Sequence, residues 1–127
     1  MAQSNVELAR KGYQAALRGD YDAIRDLLDP AVRWHGGDPS APGACRNREQ
    51  AIQFMRRAWA RRGPGQLVDV VDAGERVVVI MRPEADDTGP AATSANLTTF
   101  RKGKVVEMVH YPDPDDALAA AGVVRSV

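Results

Sequence analysis

The chain has 127 residues, 44% of them hydrophobic and 27% charged, which is the composition of one ordinary globular domain over residues 1–127. Seventeen basic and 17 acidic residues cancel, so the net charge favours neither nucleic acid nor an anionic membrane as a partner. A single cysteine, Cys45, excludes an intrachain disulfide, and no apolar run approaches the ~18 residues of a membrane helix. The first residues show no apolar signal segment, so a cytoplasmic protein is expected.

Three helices are predicted in the first half of the chain, each preceded by a residue of a type that caps helix N-termini. The predicted caps are Ser4, Asp20 and Asn47. The residues predicted to end these helices are Gly19, Asp29-Pro30 and Gly63-Pro64-Gly65. A short strand over 31–35 and an irregular loop over 36–46 are expected between the second and third helices.

The second half of the chain predicts two β-hairpins and a final helix. Strands over 67–72 and 76–82 are joined at Ala73-Gly74-Glu75, and two later strands flank a turn at Lys102-Gly103. Asp113 is expected to cap a last helix that ends at Gly122. Strands joined by short turns indicate an antiparallel sheet, with the helices segregated to one of its faces.

This order of elements resembles the nuclear transport factor 2-like superfamily, and within it the SnoaL-like polyketide cyclase and ketosteroid isomerase-like group. The segments that carry the resemblance are Arg18–Asp22, Leu28–His35, Asn47–Ile52, Gly103–Glu107 and Asp113–Gly122. The family usually has Gly at the position of Asn47. The resemblance implies an α+β fold in which a curved, mixed, mostly antiparallel sheet wraps around N-terminal helices, forming a cone with an internal pocket. It also implies homodimerisation through the outer sheet face.

His110 is the first candidate for chemistry. Strand alternation groups His110 with Val106 and Met108, and places Val105 and Val109 on the opposite face. Relatives commonly carry a carboxylate near this position, so the resemblance implies that His110 is a general acid or base facing the pocket. The alternative is a structural histidine bonded to a backbone carbonyl.

Other aromatic and sulfur-containing side chains are expected to line the pocket. Alternation puts Trp34 and His35 on opposite faces of the first strand, and Trp34 is the stronger pocket candidate. Met55 and Trp59 lie on the apolar stripe of the third helix, and Trp34 and Trp59 are expected to be largely buried. Tyr13 lies on the inner face of the first helix, where isomerase relatives place an oxyanion donor. The carboxylate base of those relatives has no counterpart on the first strand.

A pattern that points to a more specific activity is formed by Arg82 and Glu84, with Asp113 about thirty residues later. It resembles limonene epoxide hydrolases, in which such an arginine and two carboxylates activate water and protonate the epoxide oxygen. Pro83 separates the first pair, and Asp113 has a competing role as a helix cap. No ligand spacing supports a metal site, and no cofactor motif is present. The arginine-rich third helix is interpreted as a solvated face.

The sequence therefore predicts a pocket protein for a hydrophobic small molecule. If the protein is an enzyme, acid/base isomerase, cyclase or hydrolase chemistry on a polyketide-, terpene- or steroid-like substrate is the expected class. The rival is a non-catalytic ligand-binding or dimerisation domain, and a limonene-type epoxide hydrolase is a minor alternative. The sequence does not identify the ligand or the reaction.

Overall fold

The computed structural model of the protein describes residues 4–61, 63–83 and 92–123. Its helices are α1 (Asn5–Arg18), α2 (Tyr21–Leu27), α3 (Arg48–Ala58) and α4 (Pro114–Ala120). Its strands are β1 (Leu28–His35), β2 (Gln66–Ala73), β3 (Arg76–Arg82), β4 (Ser94–Arg101) and β5 (Lys104–Tyr111). β1 begins three residues earlier than expected, so Asp29 and Pro30 lie in the strand. Pro30 is tolerated there because β1 is an edge strand.

All four predicted helix caps are confirmed, and each works through a side chain that satisfies an otherwise unpaired backbone N–H. The Oγ of Ser4 accepts from the Glu7 N–H at 3.1 Å, and Asn47 Oδ1 accepts from the Gln50 N–H at 2.9 Å. Asp20 and Asp113 cap α2 and α4 in the same way. Local hydrogen bonds therefore fix where the helices begin.

The five strands form one curved sheet in the order β1-β5-β4-β3-β2. β1 pairs with β5 in parallel, and the other three pairs are antiparallel. Lys102 and Gly103 both have positive φ, 52° and 77°, as the tight turn between β4 and β5 requires. The α+β class and the curved, mostly antiparallel sheet around N-terminal helices are confirmed.

Helices cover both faces of the sheet, which corrects the expectation that they share one. α1 packs on β2 and β3, and α3 packs on β1, over a concave-face core that includes Val77, Phe100 and Met108. α4 packs on the opposite face of β3, β4 and β5. Its buried Leu118 joins a second apolar cluster there with Ile80. The sequence pattern missed this because the apolar side of α4 does not indicate which face of the sheet it covers.

An irregularity in β5 corrects the predicted alternation of that strand. Thr99 pairs with Glu107, whereas the next residue of β4, Phe100, pairs with Val105. Val106 is thus an additional residue without a register partner on β4, as in a β-bulge. The consequence is that Val105, and not Val106, joins Met108 in the concave-face core.

Within the part of the chain that the structure describes, no helix is both long enough and apolar enough to cross a membrane.

Candidate functional site

A cavity of about 630 Å³ lies between the concave face of the sheet and helices α1, α2 and α3. This volume is in the range of small-molecule sites. Its walls are mostly apolar and include Leu8, Leu28, Val79, Met81, Phe100 and Val105. None of the described residues that line it is Asp, Glu, Lys or Arg. The cavity therefore offers apolar contact with a few neutral or weakly basic polar groups.

His110 lies on the cavity wall near the end of β5, with Met108 two residues before it on the same face. The side chain is exposed, so solvent reaches it. Its register partner on β4 is Asn96, which also lines the cavity. Among the described residues, no carboxylate forms an ion pair with His110. The His110 imidazole is therefore accessible both to solvent and to a molecule in the cavity.

Trp34 forms part of the wall next to this histidine. It is the register partner of Met108 on the neighbouring strand, and its Nε1–H donates to Asn96 Oδ1 at 3.0 Å. Its ring meets the Phe54 ring edge-on, with centroids 4.9 Å apart. The indole thus contacts α3 through Phe54, and its only polar atom is hydrogen-bonded to β4.

Trp59, Met55 and Met108 also line the cavity, the two methionines being buried. Trp59 stacks on Tyr21 with ring centroids 6.4 Å apart. Trp34 and Trp59 border the same cavity, and each is partly buried, with a minority of its surface exposed. Their remaining exposure follows from facing an open cavity.

His35 takes part in a separate polar group, together with Arg33 and Glu107. Its Nε2 lies 3.0 Å from Glu107 Oε2, and its Nδ1 accepts the Gly37 N–H at 3.0 Å. Arg33 Nη2 lies 3.4 Å from the same carboxylate oxygen. His35 borders the cavity, yet its ring nitrogens are committed to these partners. The geometry of this hydrogen-bonded group therefore indicates a structural role.

Tyr13 lines the cavity from α1, but its hydroxyl donates to the Gly65 carbonyl at 2.8 Å. Because a phenol has one proton, this bond must break before Tyr13 can donate to a bound molecule. Gly65 lies close to β3: a Cβ added to it would lie 2.5 Å from the Arg82 carbonyl oxygen. Tyr13 therefore ties α1 to a tightly packed segment.

The structure does not bring the predicted epoxide hydrolase residues together in the cavity. Arg82 and Asp113 are both exposed, and neither is among the described residues that line it. The Asp113 carboxylate accepts from the Asp115 N–H at 2.9 Å as the cap of α4. Glu84 lies outside the described residues.

Reasoning from the sequence missed the polar side chains that β4 contributes to the cavity. Ser94, Asn96 and Thr98 alternate with Ala95 and Leu97, and all three polar residues line the cavity. Thr98 is only 5% exposed. Period-two alternation was visible in the sequence. Its polar side would ordinarily be assigned to solvent, but here α4 covers the apolar side and the polar side faces inward.

Cys45 is a further cavity residue that was not anticipated. It is buried and unbonded to another cysteine, and its backbone forms two hydrogen bonds with Trp34, which attach the loop after β1 to that strand. Burial raises the pKa of the Cys45 thiol above its usual range, and the nearby Arg57 cation offsets part of this rise. Cys45 is therefore a mainly neutral thiol near neutral pH.

Within the described residues, no group of three His, Cys, Asp or Glu side chains is arranged to hold a metal ion. Of the arginines of α3, Arg56 and Arg57 are exposed and Arg48 is half-buried. Arg25 of α2 pairs with Glu49 of α3 at 3.0 Å, and the Arg56 guanidinium lies 4.3 Å from the Tyr21 ring centroid. These contacts account for part of the basic surface without a ligand.

Residues 9–108 match the family model of the SnoaL-like domain. No curated protein matches the chain. Among solved structures, the chain is similar to a nuclear transport factor 2-like protein from Burkholderia pseudomallei K96243, with 24% identity and a TM-score of 0.67, covering 92% of this chain and 97% of that one.

It is also similar to Bal32a, from a soil-derived mobile gene cassette, with 23% identity and a TM-score of 0.69, covering 84% of this chain and 87% of that one. A nuclear transport factor 2-like protein from Burkholderia xenovorans LB400 is 20% identical, with a TM-score of 0.65, covering 83% of this chain and 79% of that one. At these identities the structures establish the fold, and the match over residues 9–108 shows that the chain belongs to the SnoaL-like domain family.

Proposed function

We propose that the protein binds a hydrophobic small molecule in the cavity between the concave sheet face and helices α1 to α3. The observation that carries this proposal is the 630 Å³ volume with predominantly apolar walls. Trp34, Trp59 and Met108 line this space without filling it. Membership of the SnoaL-like domain family supports small-molecule binding. An open, apolar cavity is the structural feature that such binding requires.

The binding proposal is tested by incubating the purified protein with a mixed library of hydrophobic compounds and identifying what it retains by mass spectrometry. Val79→Trp places a large side chain on the cavity wall from β3 and is expected to abolish retention. Val68→Trp is the matched control, because Val68 is 47% exposed and does not line the cavity. Equal retention by both variants, each folded by circular dichroism, would show that compounds bind elsewhere.

A second candidate function is acid/base catalysis by His110 on the bound molecule. The supporting observation is that His110 lines the cavity, remains accessible to solvent and lies opposite Asn96 in the sheet register. A neutral imidazole can take a proton from a ligand or from water, and the imidazolium can return it. The reaction classes we propose are isomerisation, cyclisation or hydrolysis of a polyketide-, terpene- or steroid-like compound. The alternative is binding without turnover.

The test of catalysis uses whichever compound the wild-type protein retains. Conversion is followed by mass spectrometry, since hydrolysis adds a water molecule, and by NMR, since isomerisation and some cyclisations leave the mass unchanged. His110→Gln and His110→Ala should keep binding within a few-fold and lose at least about 100-fold in turnover. Full turnover by both variants would remove His110 from the chemistry. Binding without any wild-type conversion would favour the non-catalytic alternative.

A further inference from the structure

Among the cavity residues of β4, Asn96 carries the side-chain amide, and its hydrogen bond with Trp34 fixes the orientation of that amide. The Trp34 Nε1–H donates to Asn96 Oδ1 at 3.0 Å. An indole N–H is a donor only, so the atom it contacts must be the amide oxygen. The Nδ2 group, with its two N–H donors, is therefore turned away from Trp34. Because Asn96 lines the cavity, a molecule bound there can approach its side chain.

Charge in the cavity walls restricts what that molecule can be. The described lining residues include no Lys or Arg to compensate a buried anion, and no Asp or Glu to compensate a buried cation. His110 lines the cavity at an exposed position. Transferring an unpaired charge into apolar surroundings is strongly unfavourable. The walls therefore favour a neutral molecule.

The polar groups of β4 lie in a row on this wall. Asn96 is flanked by Ser94 and Thr98, each two residues away along the strand and also lining the cavity. Across the sheet, the register partners of Asn96 are the apolar Val79 on β3 and the exposed His110 on β5. A bound molecule that is mostly apolar but carries an oxygen facing β4 would match this distribution.

We propose that Asn96, oriented by Trp34, is the specificity-determining residue of the cavity, and that it selects neutral, mostly apolar molecules with a hydrogen-bond-accepting oxygen over hydrocarbons of the same shape. This inference rests on the proposed function, since it needs a molecule in the cavity. Asn96 acts as the donor through Nδ2. Trp34 acts indirectly, as a positioning residue that prevents the amide from rotating and presenting its oxygen instead.

The experiment compares two probes of matched shape, 2-acetylnaphthalene and 2-ethylnaphthalene, by isothermal titration calorimetry. The wild-type protein should bind the ketone roughly two- to twelvefold better than the Asn96→Leu variant does, which is the range of one net hydrogen bond. The hydrocarbon should bind both proteins within about twofold. Trp34→Phe should weaken ketone binding relative to the hydrocarbon. Thr99→Val is the control, because Thr99 follows Thr98 in β4 but does not line the cavity. This variant should bind both probes with unchanged affinity.

A second readout needs no variant with altered packing. In ¹⁵N-labelled wild-type protein, the side-chain amide resonances of Asn96 should shift on addition of the ketone and much less on addition of the hydrocarbon. If both probes bind equally well and neither moves these resonances selectively, the assignment of Asn96 is overturned while the apolar binding function stands. If neither probe binds, the proposed function itself is contradicted for neutral aromatics, and the inference falls with it.

Discussion

The side chain of His35 illustrates how strongly single hydrogen bonds constrain this fold. Its Nδ1 accepts the Gly37 N–H, so the ring proton is on Nε2 and is donated to Glu107 Oε2. The His35 side chain is 6% exposed and that of Glu107 is 29% exposed. Arg33 Nη2 lies 3.4 Å from the same carboxylate oxygen. The two strands β1 and β5 are thus joined by side chains as well as by their backbone ladder.

We expect Glu107→Ala to lower the free energy of unfolding by about 1–3 kcal/mol, because it leaves the buried Nε2–H of His35 without its acceptor. Glu107→Gln keeps an accepting oxygen and should lose less. Urea denaturation measures both. Glu75→Ala, at an exposed position in the turn between β2 and β3, is the control and should stay within about 0.5 kcal/mol of wild type. A Glu107→Ala protein as stable as this control would show that the pair contributes nothing.

Alkylation of Cys45 should report on the burial of the cavity wall. Because burial raises the thiol pKa above its ordinary value of 9.0, the native protein holds less thiolate at any pH below that pKa than the unfolded chain does. Iodoacetamide labelling of the native state should therefore be slower than that of the denatured state at pH 8. The native rate should still rise with pH above 9.0, where a free thiol levels off. Equal rates in both states at pH 8 would contradict the burial of this residue.

At the scale of secondary structure, α4 contributes more than its seven residues suggest. Leu118 is 4% exposed and packs in the cluster that covers the outer face of β3, β4 and β5. This short helix is held by the Asp113 cap and by Pro114 at its first turn. Because α4 covers apolar side chains of three strands, we expect its packing to contribute to the stability of the sheet.

Leu118→Ala is expected to lower the free energy of unfolding by about 2–5 kcal/mol, the usual cost of deleting a buried leucine side chain. Thermal or urea denaturation followed by circular dichroism provides the measurement. Leu17→Ala on α1 is the matched control, since Leu17 is 57% exposed, and it should change stability by less than about 0.5 kcal/mol. Similar losses in the two variants would mean that α4 is not part of the core.

Elements whose signals are local could be predicted from the sequence, and those set by distant partners could not. The caps at Ser4 and Asn47 act within three residues, so the pattern alone identifies them. The additional residue Val106 in β5 is defined only by its pairing with β4, and the contact between His35 and Glu107 joins positions 72 residues apart. No local pattern contains that information.

The candidate site likewise contains residues that the sequence predicts and residues that it does not. Trp34, Met55, Trp59 and Met108 were expected on the cavity wall from aromatic character, periodicity and resemblance, and they line the cavity. Asn96 was missed because polar residues alternating along a strand usually face solvent. Only the position of α4 on the other side of β4 reverses that assignment.

At the scale of the whole molecule, the homodimer through the sheet remains a prediction. The outer sheet face available to such a dimer is limited, because Val105 belongs to the concave-face core and α4 covers the outer face of β3 to β5. A dimer through the sheet would use the part of the outer face that α4 leaves uncovered. Light scattering at micromolar concentration should give twice the 13.8 kDa mass of one chain. A mass of one chain would remove the dimer.

The parallel pairing of β1 with β5 has a consequence for the order of events during folding. Trp34 meets Met108 only when residue 34 and residue 108 come together, so the wall that carries Trp34 and His110 is closed by one of the longest-range contacts in the chain. Such contacts carry a high loop-closure cost and form slowly. During synthesis, β1 has no strand neighbour in the sheet until β5 has left the ribosome. The cavity is thus assembled late, and chains interrupted before residue 104 would expose β1 as an unpaired edge open to misassociation.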